Sequence, residues 1–140
     1  MKRLAVLNVV GLTRGLLADK MLRMQKFAAD REVASFAPAF PAVTTTAQAT
    51  YLTGRSPAEH GIVGNGWYER EDAEIRFWKQ SNRLVHGEKL WEAVRREREE
   101  FRCAKMFWWY NMYSSADWSA TPRPMYPADG RKIPDHYAYP

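Results

Sequence analysis

Cysteine is almost absent from this chain: Cys103 is the only one among 140 residues. No internal disulfide can form, so nothing points to an oxidising compartment. Histidine is nearly as scarce. His60, His86 and His136 lie far apart, and His86 and His136 have no partner at ligand spacing and read as solvated surface residues. No apolar run approaches the roughly 20 residues that cross a bilayer. The opening "MKRLAVLNVVGL" begins with cations, but its apolar run is short, is broken by Asn8 and ends without a small-residue cleavage site. These absences lead to the expectation of a cytoplasmic protein without membrane contact. A long basic run is missing as well. The net charge is +5 and the pI about 9.5, yet acids and bases interleave in "YEREDAEIR" and "REREEFR". The surplus is a general surface property with a tilt towards phosphate-bearing ligands. There is also no internal repeat.

What is present suits one globular domain: 46% hydrophobic, 26% charged and, unusually, 14% aromatic residues. Residues 3–12, "RLAVLNVVGL", form a nearly continuous β-branched apolar run, the pattern of a strand buried on both faces of a parallel sheet. "GLLADKMLRMQKFAAD" then places Leu17, Met21, Met24 and Ala28 at helical spacing, and "REVASFAPAF" reads as a second strand. Strand, helix, strand predicts an α/β architecture. Further on, "AQATYLTG" predicts a helix closed by Gly54, "AEIRFW" a short strand and "GEKLWEAVRREREE" a helix with Leu90, Trp91 and Val94 on one face. "FRCAKMFWWYNMY" is the third sheet-strand candidate. Its aromatics read as core or interface rather than a base-stacking platform, so no nucleic-acid partner is expected. The proline-rich stretch after Ser114, ending "PDHYAYP", predicts a loop.

The chemistry concentrates in residues 40–65, "FPAVTTTAQATYLTGRSPAEHGIVGN". Three threonines, mediocre helix formers, stand where a helix begins. One reading is capping of the first turn. Another is a nucleophilic hydroxyl at a helix N-terminus, where free N–H groups and the helix dipole favour phosphate. Asn65 within "GNG" reads as a turn former, and a turn is also how a loop aims an amide. His60 reads as a structural loop histidine.

This span resembles the type I phosphodiesterase / nucleotide pyrophosphatase branch of the alkaline phosphatase superfamily. There, "P-x-x-T" carries a threonine nucleophile, the helix ends in "TG", and "P-x-x-HGI-x-x-N" delivers a phosphate-binding asparagine. Counting back from Thr53 and Gly54 sets the nucleophile on Thr44. Counting forward through Pro57, His60, Gly61 and Ile62 sets the asparagine on Asn65. The resemblance implies hydrolysis of phosphodiester or pyrophosphate bonds in a small-molecule phosphate ester or nucleotide. It implies two divalent metal ions, usually zinc, with Thr44 as nucleophile and metal contact. Asn65 and the Thr45 N–H would hold the non-bridging oxygens, and Trp67 and Tyr68 would lie on a leaving group. It also implies an alkaline-phosphatase-like sandwich with a mainly parallel central sheet. Residues 1–140 would be the N-terminal portion of one such domain, incomplete at its C-terminus.

Two departures stand out. The family's first strand ends in "DG", whose aspartate binds metal, whereas here Val10 precedes Gly11. Asn8, two residues earlier on the same side of an extended chain, is the substitute ligand candidate, although a neutral amide is a poor zinc ligand. The family's other ligands come from beyond residue 140, and "DH" at Asp135-His136 is a coincidence of letters. The 140-residue chain is therefore expected to be inactive alone. The alternative is a non-catalytic relative that binds a phosphorylated ligand or serves as a scaffold.

Overall fold

The structure is a computed structural model describing residues 3–123 and 125–140. It contains two compact units, Met1–Ala37 and Pro38–Pro140. In the first, α1 (Arg14–Asp19) and α2 (Leu22–Ala28) pack together. The Thr13 hydroxyl caps α1 by accepting the Leu16 N–H at 3.3 Å. The spacing of Leu17, Met21, Met24 and Ala28 predicts one helix, but the chain breaks at Met21, whose φ of −123° and ψ of 63° are not helical. Helices of six and seven residues, with no buried side chain in α2 to anchor them, do not propagate through such a break.

The two strands expected on either side are corrections. Residues 3–9 and 32–39 form neither strand nor helix, and Leu4, Leu7, Val10 and Phe36 are exposed. An apolar run becomes a buried strand only where neighbours satisfy its backbone N–H and C=O groups. Among the described residues, the first unit contains no strand to do so.

The second unit carries the well-packed part. Helix α3 (Thr44–Thr53) ends at Gly54, whose φ of +66° closes the helix in a left-handed cap that glycine adopts without steric cost. A single turn, α4 (Pro57–His60), leads to the hairpin β1 (Gly66–Glu69) and β2 (Glu74–Phe77), with Gly66 opposite Phe77 and Glu69 opposite Glu74. Helix α5 (Leu90–Glu97) buries Trp91 and leaves Leu90 exposed. β3 (Ala104–Met106) pairs parallel with β4 (Trp118–Pro122), and β4 pairs antiparallel with β5 (His136–Tyr139).

The architecture is thus mixed α/β, with five helices and two small sheets among the described residues. Its one parallel strand pair is β3 with β4. The tail corrects another expectation: "HYAY" is a strand, because β4 offers it an edge from Ser119 to Pro122. Ala49, Ile62, Val85, Trp109 and Tyr110 form the core, with Trp67, Trp78 and Leu84 packed against it. Burying Ile62 completely contributes about 2 kcal/mol. No helix is long and apolar enough to cross a membrane among the described residues.

Candidate functional site

Helix α3 buries an unusual face. Its inward residues are Thr45, Thr46, Gln48 and Ala49, three of them polar. A helix held by apolar packing alone would bury leucines here, so each buried polar atom raises the question of its partner. Gln48 Oε1 accepts the Trp109 N–H at 2.9 Å. The Thr45 hydroxyl lies 2.7 Å from the Gly64 carbonyl oxygen and 3.1 Å from Asn65 Oδ1. Thr46 Oγ1 is buried without a hydrogen-bond partner among the described residues.

The helix N-terminus and the glycine turn meet at Asn65. The Thr45 backbone N–H donates to Asn65 Oδ1 at 3.1 Å. This is one of the first-turn donors that has no acceptor within the helix. Because Thr45 N–H is a donor, it fixes which end of the amide faces the helix, leaving Nδ2 as the end with donating capacity. Thr44, the first residue of α3, is half-buried and immediately precedes this contact. The N-cap position belongs to Val43, which has no side chain able to cap. The threonine run is therefore not spent on an N-cap.

Close backbone approach holds the turn. A Cβ on Gly66 would stand 2.8 Å from the Arg76 carbonyl oxygen, and the Trp78 N–H donates to the Asn65 carbonyl at 2.8 Å. On the other side, His60 is fully buried. Its Nδ1 accepts the Ile62 N–H at 3.1 Å, so the proton sits on Nε2, which faces the Thr50 hydroxyl at 3.0 Å. Burial pushes the imidazole below its ordinary pKa of 6.5, which keeps it neutral. His60 has a structural role: Nε2 ties α4 to Thr50 of α3, and Nδ1 holds the chain that leaves α4 at Ile62. His86 and His136 are exposed.

Of the two aromatic candidates, Trp67 packs against the core, donates from Nε1 to Glu69 at 3.1 Å and has Lys79 Nζ 4.1 Å from its ring centroid. Tyr68, its neighbour on β1, points to the opposite face and is exposed. The sequence reading missed an aromatic pair beside Asn65. Trp78 and Trp109 stack with centroids 4.8 Å apart. They line a 370 Å³ groove with Pro122, Tyr126, Lys132, Pro134 and Asp135. It also missed Tyr110, a core residue whose phenol burial pushes up to about 12, with the Thr45 side chain opposing the shift. No local pattern points from residue 110 back to residue 45.

The residues present do not fit a two-metal centre. No three His, Cys, Asp or Glu side chains come together among the described residues. Val10 offers no donor, and both His60 nitrogens are engaged. Asn8 lies half-buried in the irregular segment of the first unit.

The N–H groups of a helix's first turn can hold an anionic oxygen, and here one of them holds Asn65 Oδ1. Residues 4–139 match the family described as Type I phosphodiesterase / nucleotide pyrophosphatase. The chain belongs to that family, whose proteins are hydrolases of the alkaline phosphatase superfamily, and the match runs through both compact units. No curated protein and no solved structure matches the chain.

Proposed function

We propose that the N-terminus of α3 and the Asn65 turn form the phosphoryl site of a phosphodiesterase or nucleotide pyrophosphatase-like hydrolase. Thr44 is its nucleophile, and Asn65 with the Thr45 N–H holds the non-bridging oxygens. The observation that carries this reading is the 3.1 Å contact between Asn65 Oδ1 and the Thr45 N–H. It joins two groups 20 residues apart at the residue after Thr44. A phosphoryl oxygen arriving there competes with Oδ1 for the Thr45 N–H, while Asn65 Nδ2 donates to a second oxygen. Both groups stand where charge develops during in-line attack, and the helix dipole adds to them. Tyr68, exposed beyond the turn, is the ring available to a planar leaving group, with Trp67 bracing the strand behind it.

The substrate class is a small phosphate ester or nucleotide. The family's chemistry draws on divalent metal ions, for which the described residues supply no ligand set. No step is therefore derived through metal. The fold we propose for the longer arrangement is the alkaline-phosphatase-like sandwich, with these residues as the N-terminal part of one domain.

Val10 at the family's metal-aspartate position favours a second reading: a relative that binds a phosphorylated ligand without cleaving it. Hydrolysis of bis-nitrophenyl phosphate, with divalent metal supplied, by the protein as its native host makes it and by its Thr44→Ala variant separates the two. Turnover that Thr44→Ala abolishes supports the hydrolase. Phosphate binding without turnover supports the binding protein, and neither binding nor turnover overturns both.

A further inference from the structure

Asn65 and Gly66 form the one Asn–Gly pair in the sequence; Asn8, Asn82 and Asn111 precede Val9, Arg83 and Met112. The backbone nitrogen that follows an asparagine can attack the side-chain amide carbon and close a five-membered ring. A glycine there leaves that nitrogen unshielded, because it carries no Cβ.

The hairpin demands this glycine and exposes its nitrogen. A Cβ at residue 66 would stand 2.5 Å from Phe77 Cδ1 and 2.8 Å from the Arg76 carbonyl oxygen. The Trp78 N–H donates to the Asn65 carbonyl, which makes Gly66 and Phe77 a non-hydrogen-bonded pair. The Gly66 N–H is thus left out of the ladder. On the other side of the amide, the Thr45 N–H lies 3.1 Å from Asn65 Oδ1 and stabilises the negative charge that this oxygen acquires when Cγ is attacked. Asn65 is half-buried, so water reaches it. One bond opposes the reaction. Bringing the Gly66 nitrogen over Asn65 Cγ turns the peptide plane between them and breaks the 2.8 Å bond from the Trp78 N–H. β1 and β2 form a two-stranded sheet of their own, and all four residues of β2 are exposed, so little packing resists a local release.

We propose that Asn65–Gly66 is a self-modification site, at which the amide of the phosphoryl site converts to a carboxylate without another enzyme. The Gly66 nitrogen bonds to Asn65 Cγ, and Nδ2 leaves as ammonia with the proton that Gly66 gives up. Solvent water then opens the cyclic imide. Its hydroxyl joins either carbonyl carbon, its remaining proton returns to the Gly66 nitrogen, and residue 65 becomes aspartate or isoaspartate. Both products place a negative charge where the amide stood, beside the start of α3. The consequence for phosphate rests on the reading of Asn65 as the clamp; the chemistry does not.

The test ages the folded 140-residue chain in mildly alkaline, phosphate-free buffer, beside a sample unfolded in guanidinium chloride. Peptide masses then register –NH2 replaced by –OH at each asparagine. The expected result in the folded chain is conversion at residue 65 ahead of the other three asparagines, slower than in the unfolded sample, with aspartate and isoaspartate both present. Hydroxylamine added during ageing should cleave the chain between residues 65 and 66, the mark of the imide. Asn65→Gln, whose longer side chain needs a six-membered ring, should keep its amide. The aged wild type should bind inorganic phosphate about tenfold more weakly than the fresh chain. A folded chain whose residue 65 keeps its amide as long as Asn82 and Asn111 do overturns the proposal, whatever the unfolded sample shows. Conversion that leaves phosphate binding unchanged upholds the modification and removes the clamp assignment instead.

Discussion

Asn65 accepts the backbone N–H of Thr45 at 3.1 Å across 20 residues of chain, so the glycine turn and the start of α3 are one structural unit. The helix donor and the amide are complementary in the absence of an anion, and an anion's oxygens can take both donors. That relationship orders the predictions below.

Replacing Asn65 by Asp retains the acceptor for Thr45 and adds a negative charge beside the helix N-terminus. The fold should survive, with a melting temperature within a few degrees of wild type, because the helix dipole favours the carboxylate. Phosphate affinity should fall by about tenfold or more, since like charges a few ångströms apart repel. Calorimetric titration with inorganic phosphate, alongside thermal melts, checks both halves.

Gly66→Ala tests how tightly the turn is built. The added Cβ meets the Arg76 carbonyl oxygen and Phe77 Cγ, each at 2.8 Å, so β1 must separate from β2. The expected cost is about 1–3 kcal/mol, read as a melting temperature lowered by roughly 4–10 °C. Because Asn65 adjoins Gly66, phosphate affinity should drop with it. An unchanged melt would mean that the hairpin does not constrain the turn.

Lys105 is buried, and burial lowers its pKa from 10.5 to about 7. Between those values the folded chain binds fewer protons than the unfolded one, so stability rises with pH across that window. Above about pH 10 the buried Tyr110 opposes the trend, since it stays protonated to about 12 when folded. Denaturant melts at about pH 7.5 and about pH 9.5 should show the wild type gaining stability. Lys105→Met should flatten that rise, and an equal rise in both chains would show that Lys105 is charged in the fold.

His60 supplies the acid limit. Its pKa is lowered by burial, so its contribution is complete above 6.5 and is lost as the pH falls from there towards its folded value. The slope reaches at most about 1.4 kcal/mol per pH unit. His60→Asn should be less stable near neutrality, having lost the bridge between Thr50 and Ile62, and its stability should depend less on pH below 6.5. Parallel curves for the two chains would count against a buried neutral imidazole.

The local structure of the candidate site was legible in the sequence because its signals are local. "TTTAQATYLTG" marks a helix by its closing glycine, and "HGIVGN" marks a turn by its glycines, so the spacing of Thr44 and Asn65 could be read in one dimension. The corrections share one physical origin. Residues 3–12 have the composition of a buried strand, but composition does not supply the neighbours a strand needs. Conversely, 136–139 lacks strand punctuation and is a strand because β4 presents an edge to it. Tyr110, Lys105 and Gln48 were invisible for a related reason: their roles depend on a left-handed loop closing onto α3 from 61 residues away. Trp67, two residues after Asn65, is held by Glu69 and Lys79, whereas the stacked pair of Trp78, whose N–H donates to the Asn65 carbonyl, and Trp109 comes from two distant segments.

The most direct measurement is a titration of the 140-residue chain with inorganic phosphate, read at the Thr45 N–H and the Asn65 Nδ2 resonances. The account predicts saturable shifts of both in the wild type and, in Asn65→Asp, a Thr45 N–H shift that needs about tenfold more phosphate or beyond. Resonances that stay fixed in a folded wild type, while phosphate shifts signals elsewhere or nowhere, would contradict it.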